Sequence, residues 1–218
     1  MTSSNPTKVE PPNCSPATQR VIDWVERIFI LSLYAWLVMR IVEAYTVTHN
    51  VANLIALCSE GLVVVFILCR RRPNEISPHP ADWLLALTAM ATPLLVDPGI
   101  GHYLVPPTIG AVMVLTGFAV QFGAKIALGR SFGCVPAHRG LKQRGPYQIV
   151  RHPMYTGYLL CHIAFLLVNP TWWNFCVYLV CYAAQVPRLL AEERLLRHDA
   201  EYVSYMETVR YRLIPGVF

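Results

Sequence analysis

Residues 104–128 read LVPPTIGAVMVLTGFAVQFGAKIAL, and this segment decides the fold. Its one charged residue, Lys125, lies close to the C-terminal end. A helix needs about 20 mostly apolar residues to cross a bilayer, so the segment has the length and composition of a membrane span. The whole chain of 218 residues is 55% hydrophobic and 14% charged, whereas soluble domains carry about 25% charged residues. This composition excludes an ordinary soluble globule and an intrinsically disordered chain, and it predicts a multi-pass membrane protein.

Five further apolar blocks flank this segment along the chain. Turn residues separate consecutive blocks at Asp97-Pro98-Gly99 and at Asn169-Pro170. The sequence therefore predicts an all-α, multi-pass transmembrane helical bundle with about six spans. The predicted spans are Ile28–Val47, Asn53–Cys69, Trp83–Asp97, Leu104–Leu128, Tyr155–Val168 and Trp172–Leu190.

The basic residues support this count independently, because cytoplasmic loops of membrane proteins collect Lys and Arg. Of the 18 Lys and Arg residues, all except Arg40 fall into four groups, and the loops near Thr48, Gly99 and Thr171 carry none. The groups are Lys8, Arg20 and Arg27; Arg70, Arg71 and Arg72; Lys125, Arg130, Arg139, Lys142, Arg144 and Arg151; and Arg188, Arg194, Arg197, Arg210 and Arg212. Six spans with both termini in the cytoplasm, in a bacterial inner membrane or the endoplasmic reticulum, explain this alternation. The net charge of +5 then reflects topology and predicts no nucleic-acid partner.

The chain divides into three regions. Residues 1–20 are rich in proline and are expected to form a flexible cytoplasmic tail. Residues 21–128 contain the four N-terminal spans, and residues 129–218 contain the last two spans and an amphipathic C-terminal helix. Within the first region of spans, Arg40 and Glu60 fall at similar depth on consecutive helices, so we expect an ion pair that either clamps the helices or forms a site.

The first polar segment is GPYQIVRHPMYTG at residues 145–157. Pro153 suits the first position of a helix, because its missing N–H would have no partner there. A helix start flanked by Arg151 and His152 predicts an anion site. The alternative is a belt of Arg, His and Tyr side chains that touches lipid head groups. Gly157, one turn into the helix, would allow another helix or a ligand to approach closely.

The second polar segment runs from Pro187 to the C-terminus. If the sixth span continues as a helix, Arg188 and Glu192 lie on one face at i and i+4, while Glu193 points about 100° away. A stripe of Leu195, Tyr202, Met206 and Val209 predicts a surface-lying helix that ends at Pro215. The alternative is a solvated helix with ordinary ion pairs. The seven histidines are dispersed without HExxH or Cys/His spacing, so no metal site is expected.

Between about Lys125 and Pro215 the chain resembles the isoprenylcysteine carboxyl methyltransferase family of integral membrane enzymes, which is related to phospholipid N-methyltransferases. The order and the spacing of several motifs carry the resemblance. These are GRSF at residues 129–132, RGPYQIVRHPMYTG at 144–157, Arg188-x-x-x-Glu192-Glu193, the Tyr202 to Tyr205 segment, and Val209 followed by Leu213-Ile214-Pro215.

The resemblance implies a catalytic methyltransferase region at residues 129–218, with S-adenosyl-L-methionine as cofactor and S-adenosyl-L-homocysteine as product. It further implies a lipophilic acceptor, such as a prenylcysteine-type carboxylate, a lipid amine or a thiol, methylated at the cytoplasmic membrane face. Arg188 and Glu192 are expected to be the catalytic residues. Including Arg151 at the helix start, the expected cofactor-binding residues are Tyr147, Arg151, His152, Pro153, Tyr155, Gly157, Glu193 and Tyr202.

Two other functions remain open from the sequence. One is a small membrane carrier or scaffold that uses an intramembrane site of Arg40 and Glu60. The other is an enzyme of the sterol-reductase type, which has a similar C-terminal layout but uses NADPH.

Overall fold

The computed structural model describes residues 16–48, 64–69, 75–77, 79–97, 103–131, 137–138 and 140–218. These residues form an all-α fold, which confirms the predicted class. The helices are α1 (Pro16–Thr48), α2 (residues 64–69), α3 (Pro80–Ala91), α4 (Pro107–Leu128), α5 (Pro153–Val168), α6 (Trp172–Leu196) and α7 (Ala200–Thr208). Three 3₁₀ turns lie at Thr92–Leu95, Gly129–Ser131 and Gly145–Gln148, and the two-residue strand Glu75–Ile76 pairs antiparallel with Ala137–His138.

Proline begins four of the helices, at Pro16, Pro80, Pro107 and Pro153. A first-turn N–H has no partner within a helix, so a residue without one is tolerated there. The helix that begins at Pro16 starts inside the segment expected to be a flexible tail. Residues 1–15 of that segment lie outside the described residues.

The predicted spans and the observed helices differ in length. The third span was predicted to reach Asp97, but α3 ends at Ala91 and tightens into the Thr92–Leu95 turn, where Pro93 cannot continue the helical hydrogen bonds. The helix of the sixth span continues to Leu196. Within the described residues, Thr108–Leu128 is the one helix that is both long enough and apolar enough to cross a membrane.

Helices α4 and α5 pack closely through glycine. A Cβ atom at Gly157 would lie 2.5 Å from Gln121 Cγ and 2.7 Å from the Gly117 carbonyl oxygen. Gly157 therefore permits close contact between two helices. A core of Ile30 and Tyr34 from α1, with Tyr147 and Met154, packs beside this contact.

Helix α6 packs on α3, and its ends are tied to α3 and to the segment that follows α3. The Asn174 side chain accepts from the Asp97 N–H and donates to its carbonyl, both at 2.8 Å. At the other end, an Arg194 Nη atom lies 3.1 Å from a carboxylate oxygen of the buried Asp82. These contacts fix the position of α6, which carries both residues predicted to be catalytic.

The C-terminal helix differs from the prediction. Helix α6 ends at Leu196, and Asp199 caps a new helix by accepting a hydrogen bond from the Glu201 N–H at 2.9 Å. The predicted end at Pro215 is wrong, because α7 ends at Thr208. Beyond that point the backbone turns back to hydrogen bond with the residues before α5, and an uninterrupted helix could not make those bonds.

Arg40 is exposed on α1, with its guanidinium carbon 5.5 Å from the centre of the Trp36 ring. Glu60 lies outside the described residues, and so does the predicted pair of Arg40 with Glu60.

Candidate functional site

The start of α5 is held by the C-terminal segment of the chain. The N–H of Arg151 donates to the Tyr211 carbonyl and the N–H of His152 donates to the Arg212 carbonyl, both at 2.9 Å. The Thr156 hydroxyl adds a 2.7 Å bond to the Leu213 carbonyl. The C-terminal segment thus fixes the backbone of the motif that the sequence singled out.

Glu193 lies at the centre of a buried charge cluster. Its Oε1 is 3.2 Å from His152 Nε2 and 3.2 Å from Arg151 Nε, the latter without hydrogen-bond alignment. Its Oε2 accepts from Arg212 Nε at 3.0 Å and lies 3.7 Å from an Arg197 Nη atom. Burial by itself would raise the pKa of Glu193, but the hydrogen bond from His152 and the neighbouring Arg212 and Arg151 lower it to about 2.

Three of the predicted site residues contact one another in this arrangement. Arg151 and His152 were expected to bind an anion at the helix start, and Glu193 to bind the cofactor. The two basic side chains contact Glu193, which is 1% exposed. The cluster still contains more basic groups than carboxylates, because Arg197 and Arg212 join it.

A cavity of about 70 Å³ lies against this cluster, and we call it the polar cavity because Lys142, Arg151, His152 and Glu192 are among the residues that line it. Six of the residues predicted from the sequence line it, namely Tyr147, Arg151, His152, Tyr155, Glu192 and Tyr202. The Tyr202 hydroxyl is buried and has no hydrogen-bond partner among the residues the structure describes. A buried polar group without a partner costs about 1–3 kcal/mol, so this hydroxyl is suited to a ligand in the cavity.

A second cavity, of about 200 Å³, lies on the other side of Tyr155 and is mostly apolar. Leu33 and Leu37 of α1 and Met90 of α3 line one side of it, and Arg188 lines the other. Arg188 is 8% exposed, and one of its Nη atoms donates to Gln185 Oε1 at 3.3 Å. The predicted catalytic pair is therefore divided, since Glu192 lines the polar cavity and Arg188 the apolar one.

Tyr155 and Met154 line both cavities and separate them. The Tyr155 hydroxyl donates to Glu192 Oε2 at 3.1 Å. The Arg188 guanidinium lies over the Tyr155 ring at 5.5 Å from its centre, a cation–π distance. Arg188 and Glu192 both contact this tyrosine, so the structure brings together the helix-start motif and the charged residues of α6.

Some predicted site residues lie elsewhere. Pro153 and Gly157 line neither cavity: Pro153 begins α5, and Gly157 packs against α4. Sequence reasoning missed Arg212 in the Glu193 cluster and His162 in the apolar cavity. The spacing of seven residues between Tyr155 and His162 places both on one helix face. From this spacing, His162 could have been predicted to line the same site as Tyr155.

The described residues include no group of three or more His, Cys, Asp or Glu side chains that could hold a metal ion.

Comparisons with known proteins identify the family of the chain. Residues 105–199 match the phospholipid methyltransferase family. The chain is 30% identical over 140 residues to protein-S-isoprenylcysteine O-methyltransferase A of Arabidopsis thaliana, an alignment that covers 58% of this chain and 68% of the relative. It is 28% identical over 149 residues to protein-S-isoprenylcysteine O-methyltransferase B of the same plant, covering 62% of this chain and 73% of the relative. These matches confirm the resemblance, and the chain belongs to the isoprenylcysteine O-methyltransferase-like family of methyltransferases.

Proposed function

We propose that this methyltransferase is an integral membrane enzyme that uses S-adenosyl-L-methionine to methylate a lipophilic acceptor at the cytoplasmic membrane face. The observation that carries the proposal is the pair of cavities, one polar and one apolar, that meet at Tyr155. A charged, water-soluble cofactor and a bilayer-confined acceptor need separate entrances and one shared contact. We propose six spans with both termini in the cytoplasm.

The polar cavity has the donors and acceptors that this cofactor requires. Tyr202 presents a buried hydroxyl without a described partner, and Glu192 presents a carboxylate suited to a sulfonium or a ribose hydroxyl. The basic excess around Glu193 favours the methionyl carboxylate. Because ligand pockets usually measure about 300–1,000 Å³, a cavity of about 70 Å³ has to open at its mouth to take the whole cofactor.

The apolar cavity would hold the acceptor with its reactive group toward Arg188. The cofactor, when bound, supplies an electrophilic methyl group on a sulfonium. Arg188 would orient a carboxylate acceptor through two parallel N–H bonds. Its contact with the Tyr155 ring and its bond to Gln185 Oε1 limit the guanidinium to few orientations.

Glu192 has a role that depends on the acceptor. A carboxylate or thiolate attacks without a base, so Glu192 would then hold the Tyr155 hydroxyl and face the positive charge. An amine or thiol would give up a proton, and Glu192 is the carboxylate within reach of the shared contact. In each case the protein contributes alignment, which can remove about 7–11 kcal/mol of the barrier at best.

Binding of S-adenosyl-L-homocysteine by the detergent-purified protein tests the proposal. We expect saturable binding of that nucleoside and none of NADPH. Incubation with a lipid extract and methyl-labelled S-adenosyl-L-methionine should then place label in an extractable lipophilic product. Binding of NADPH would favour a reductase, and binding of neither ligand would favour the carrier or scaffold alternative.

A further inference from the structure

The apolar cavity has one wall that is polar. Its α1 and α3 side consists of aliphatic residues such as Leu33, Leu37 and Met90. The opposite wall, formed by α5 and α6, includes His162 and Gln185 in addition to the groups near the reacting centre. A plain hydrocarbon chain could make no hydrogen bond with these two side chains.

Gln185 contributes a side-chain amide to this wall. The residue is 7% exposed, and its Oε1 accepts from Arg188. Because a guanidinium only donates, the atom that faces Arg188 must be the amide oxygen, and this fixes which amide atom is the nitrogen. Within the described part of the chain, that nitrogen has no hydrogen-bond partner.

His162 presents a second nitrogen. Its Nδ1 is 3.1 Å from the Tyr182 hydroxyl, and its ring stacks on Tyr178 with centres 4.6 Å apart. These contacts hold the ring in one orientation. The other ring nitrogen, Nε2, makes no hydrogen bond to any residue in the described ranges.

Both nitrogens lie beyond the reacting centre, toward the turn between α5 and α6. His162 is seven residues after Tyr155, a helical rise of about 10 Å, and Gln185 is three residues before Arg188, a rise of about 5 Å. Hydrocarbon packed here would leave the Gln185 amide N–H and the His162 Nε2 atom, a donor or an acceptor according to the tautomer, without a partner, which is unfavourable.

We propose that the acceptor carries a carbonyl or hydroxyl oxygen within its lipophilic part, about 5–10 Å from the atom that receives the methyl group, and that Gln185 and His162 bind this oxygen. The inference rests on the proposed function, because it identifies the apolar cavity as the acceptor site. It specifies an oxygenated lipid or isoprenoid as the substrate class and disfavours a plain hydrocarbon chain.

Two matched probes test this inference by binding alone. S-decyl-N-acetylcysteine has an uninterrupted chain, and its derivative with a ketone in the middle of the decyl chain differs by that one group. We expect the detergent-purified wild type to bind the ketone probe about ten-fold more tightly. Gln185→Leu should reduce this preference to about two-fold or less, and His162→Phe should reduce it independently. Gln143→Leu, at an exposed position remote from the cavity, should retain it.

Equal affinity of the wild type for the two probes would overturn the inference, since water would then satisfy the two nitrogens. A preference that survives both Gln185→Leu and His162→Phe would overturn it as well. Absence of binding for both probes would overturn the inference together with the acceptor site. A further outcome is that the two substitutions abolish the ketone preference while the wild type transfers no methyl group from S-adenosyl-L-methionine. That result would support oxygen binding by Gln185 and His162 and would contradict the proposed function.

Discussion

Arg188 and Glu192 lie one turn apart on α6. Each lines a different cavity, and both contact Tyr155. Arg188 contacts the Tyr155 ring from the apolar side, whereas Glu192 accepts the Tyr155 hydroxyl from the polar side. Tyr155 therefore lies between the two charged side chains.

We predict that Arg188→Ala and Glu192→Gln each lower methyl transfer about a hundredfold or more, because alignment of the reactants is lost. Both proteins should keep the helical content and thermal transition of the wild type. The exposed pair Arg210→Ala and Glu207→Gln makes the same chemical changes away from the cavities and should keep full turnover. Wild-type rates in either site variant would remove that residue from the mechanism.

Tyr202→Phe should separate stability from binding. Removing a buried hydroxyl that has no described partner should leave the free energy of unfolding unchanged or raise it by about 1 kcal/mol. The same change should weaken S-adenosyl-L-homocysteine binding about ten-fold, as measured by calorimetry. Unchanged affinity would mean that the hydroxyl faces no ligand.

At the scale of elements, the contact of α4 with α5 depends on the absence of a side chain at Gly157. We predict that Gly157→Ala lowers the free energy of unfolding by about 1–3 kcal/mol, because the added carbon would clash with Gln121 and Gly117. Gly123→Ala, on α4, is the control, since the added Cβ would lie 3.6 Å from Pro146 Cγ, an ordinary van der Waals contact. That variant should be as stable as the wild type or slightly more stable. Equal stability of the two variants would show that α4 and α5 can move apart without lowering the free energy of unfolding.

The Glu193 cluster joins α5, α6 and the C-terminal segment, and it predicts a dependence of stability on acid. The pKa of Glu193 is lowered from 4.5 to about 2, so its contribution is fully present above about pH 4.5 and is lost as the pH falls through about 2. The expected loss is on the order of 3 kcal/mol. Glu193→Gln should be less stable than the wild type at pH 7, because Arg151 and Arg212 lose their counter-charge.

Thermal unfolding between pH 5 and 2.5 checks this assignment. The unfolding temperatures of the wild type and of Glu193→Gln, plotted against pH, should converge as the pH falls. The Glu193→Gln variant should lose less stability over this interval than the wild type does. Parallel curves would assign the acid sensitivity to other carboxylates.

At the scale of the whole molecule, the C-terminal segment closes the fold by returning to the start of α5. A chain truncated after Arg210 loses the carbonyls that accept from the Arg151 and His152 N–H groups. We predict faster hydrogen exchange of these two amides and at least ten-fold weaker binding of S-adenosyl-L-homocysteine. Arg212→Lys, which keeps the backbone and the charge, should remain near the wild type. Unaltered exchange after truncation would show that α5 starts correctly without this segment.

The sequence predicted the helices well where apolar blocks and proline punctuation coincide, as at Pro107 and Pro153. The resemblance assigned His152, Arg188 and Glu192 to one site; His152 and Glu192 both line the polar cavity, whereas Arg188 lines the apolar one. The sequence did not predict that Arg151 and His152 contact Glu193, because local spacing does not show which long-range partner a charge will find. The return of the chain after Thr208 was missed for the same reason, since residues 211–213 act through backbone carbonyls, which carry no sequence signal.

The partition at Tyr155 has a consequence for how the two reactants arrive. Under the proposed function, each is loaded from its own solvent, and neither has to leave that phase before the other is in place. The protein then works as a phase-transfer catalyst in which the Tyr155 and Met154 side chains separate the water-soluble reactant from the lipophilic one.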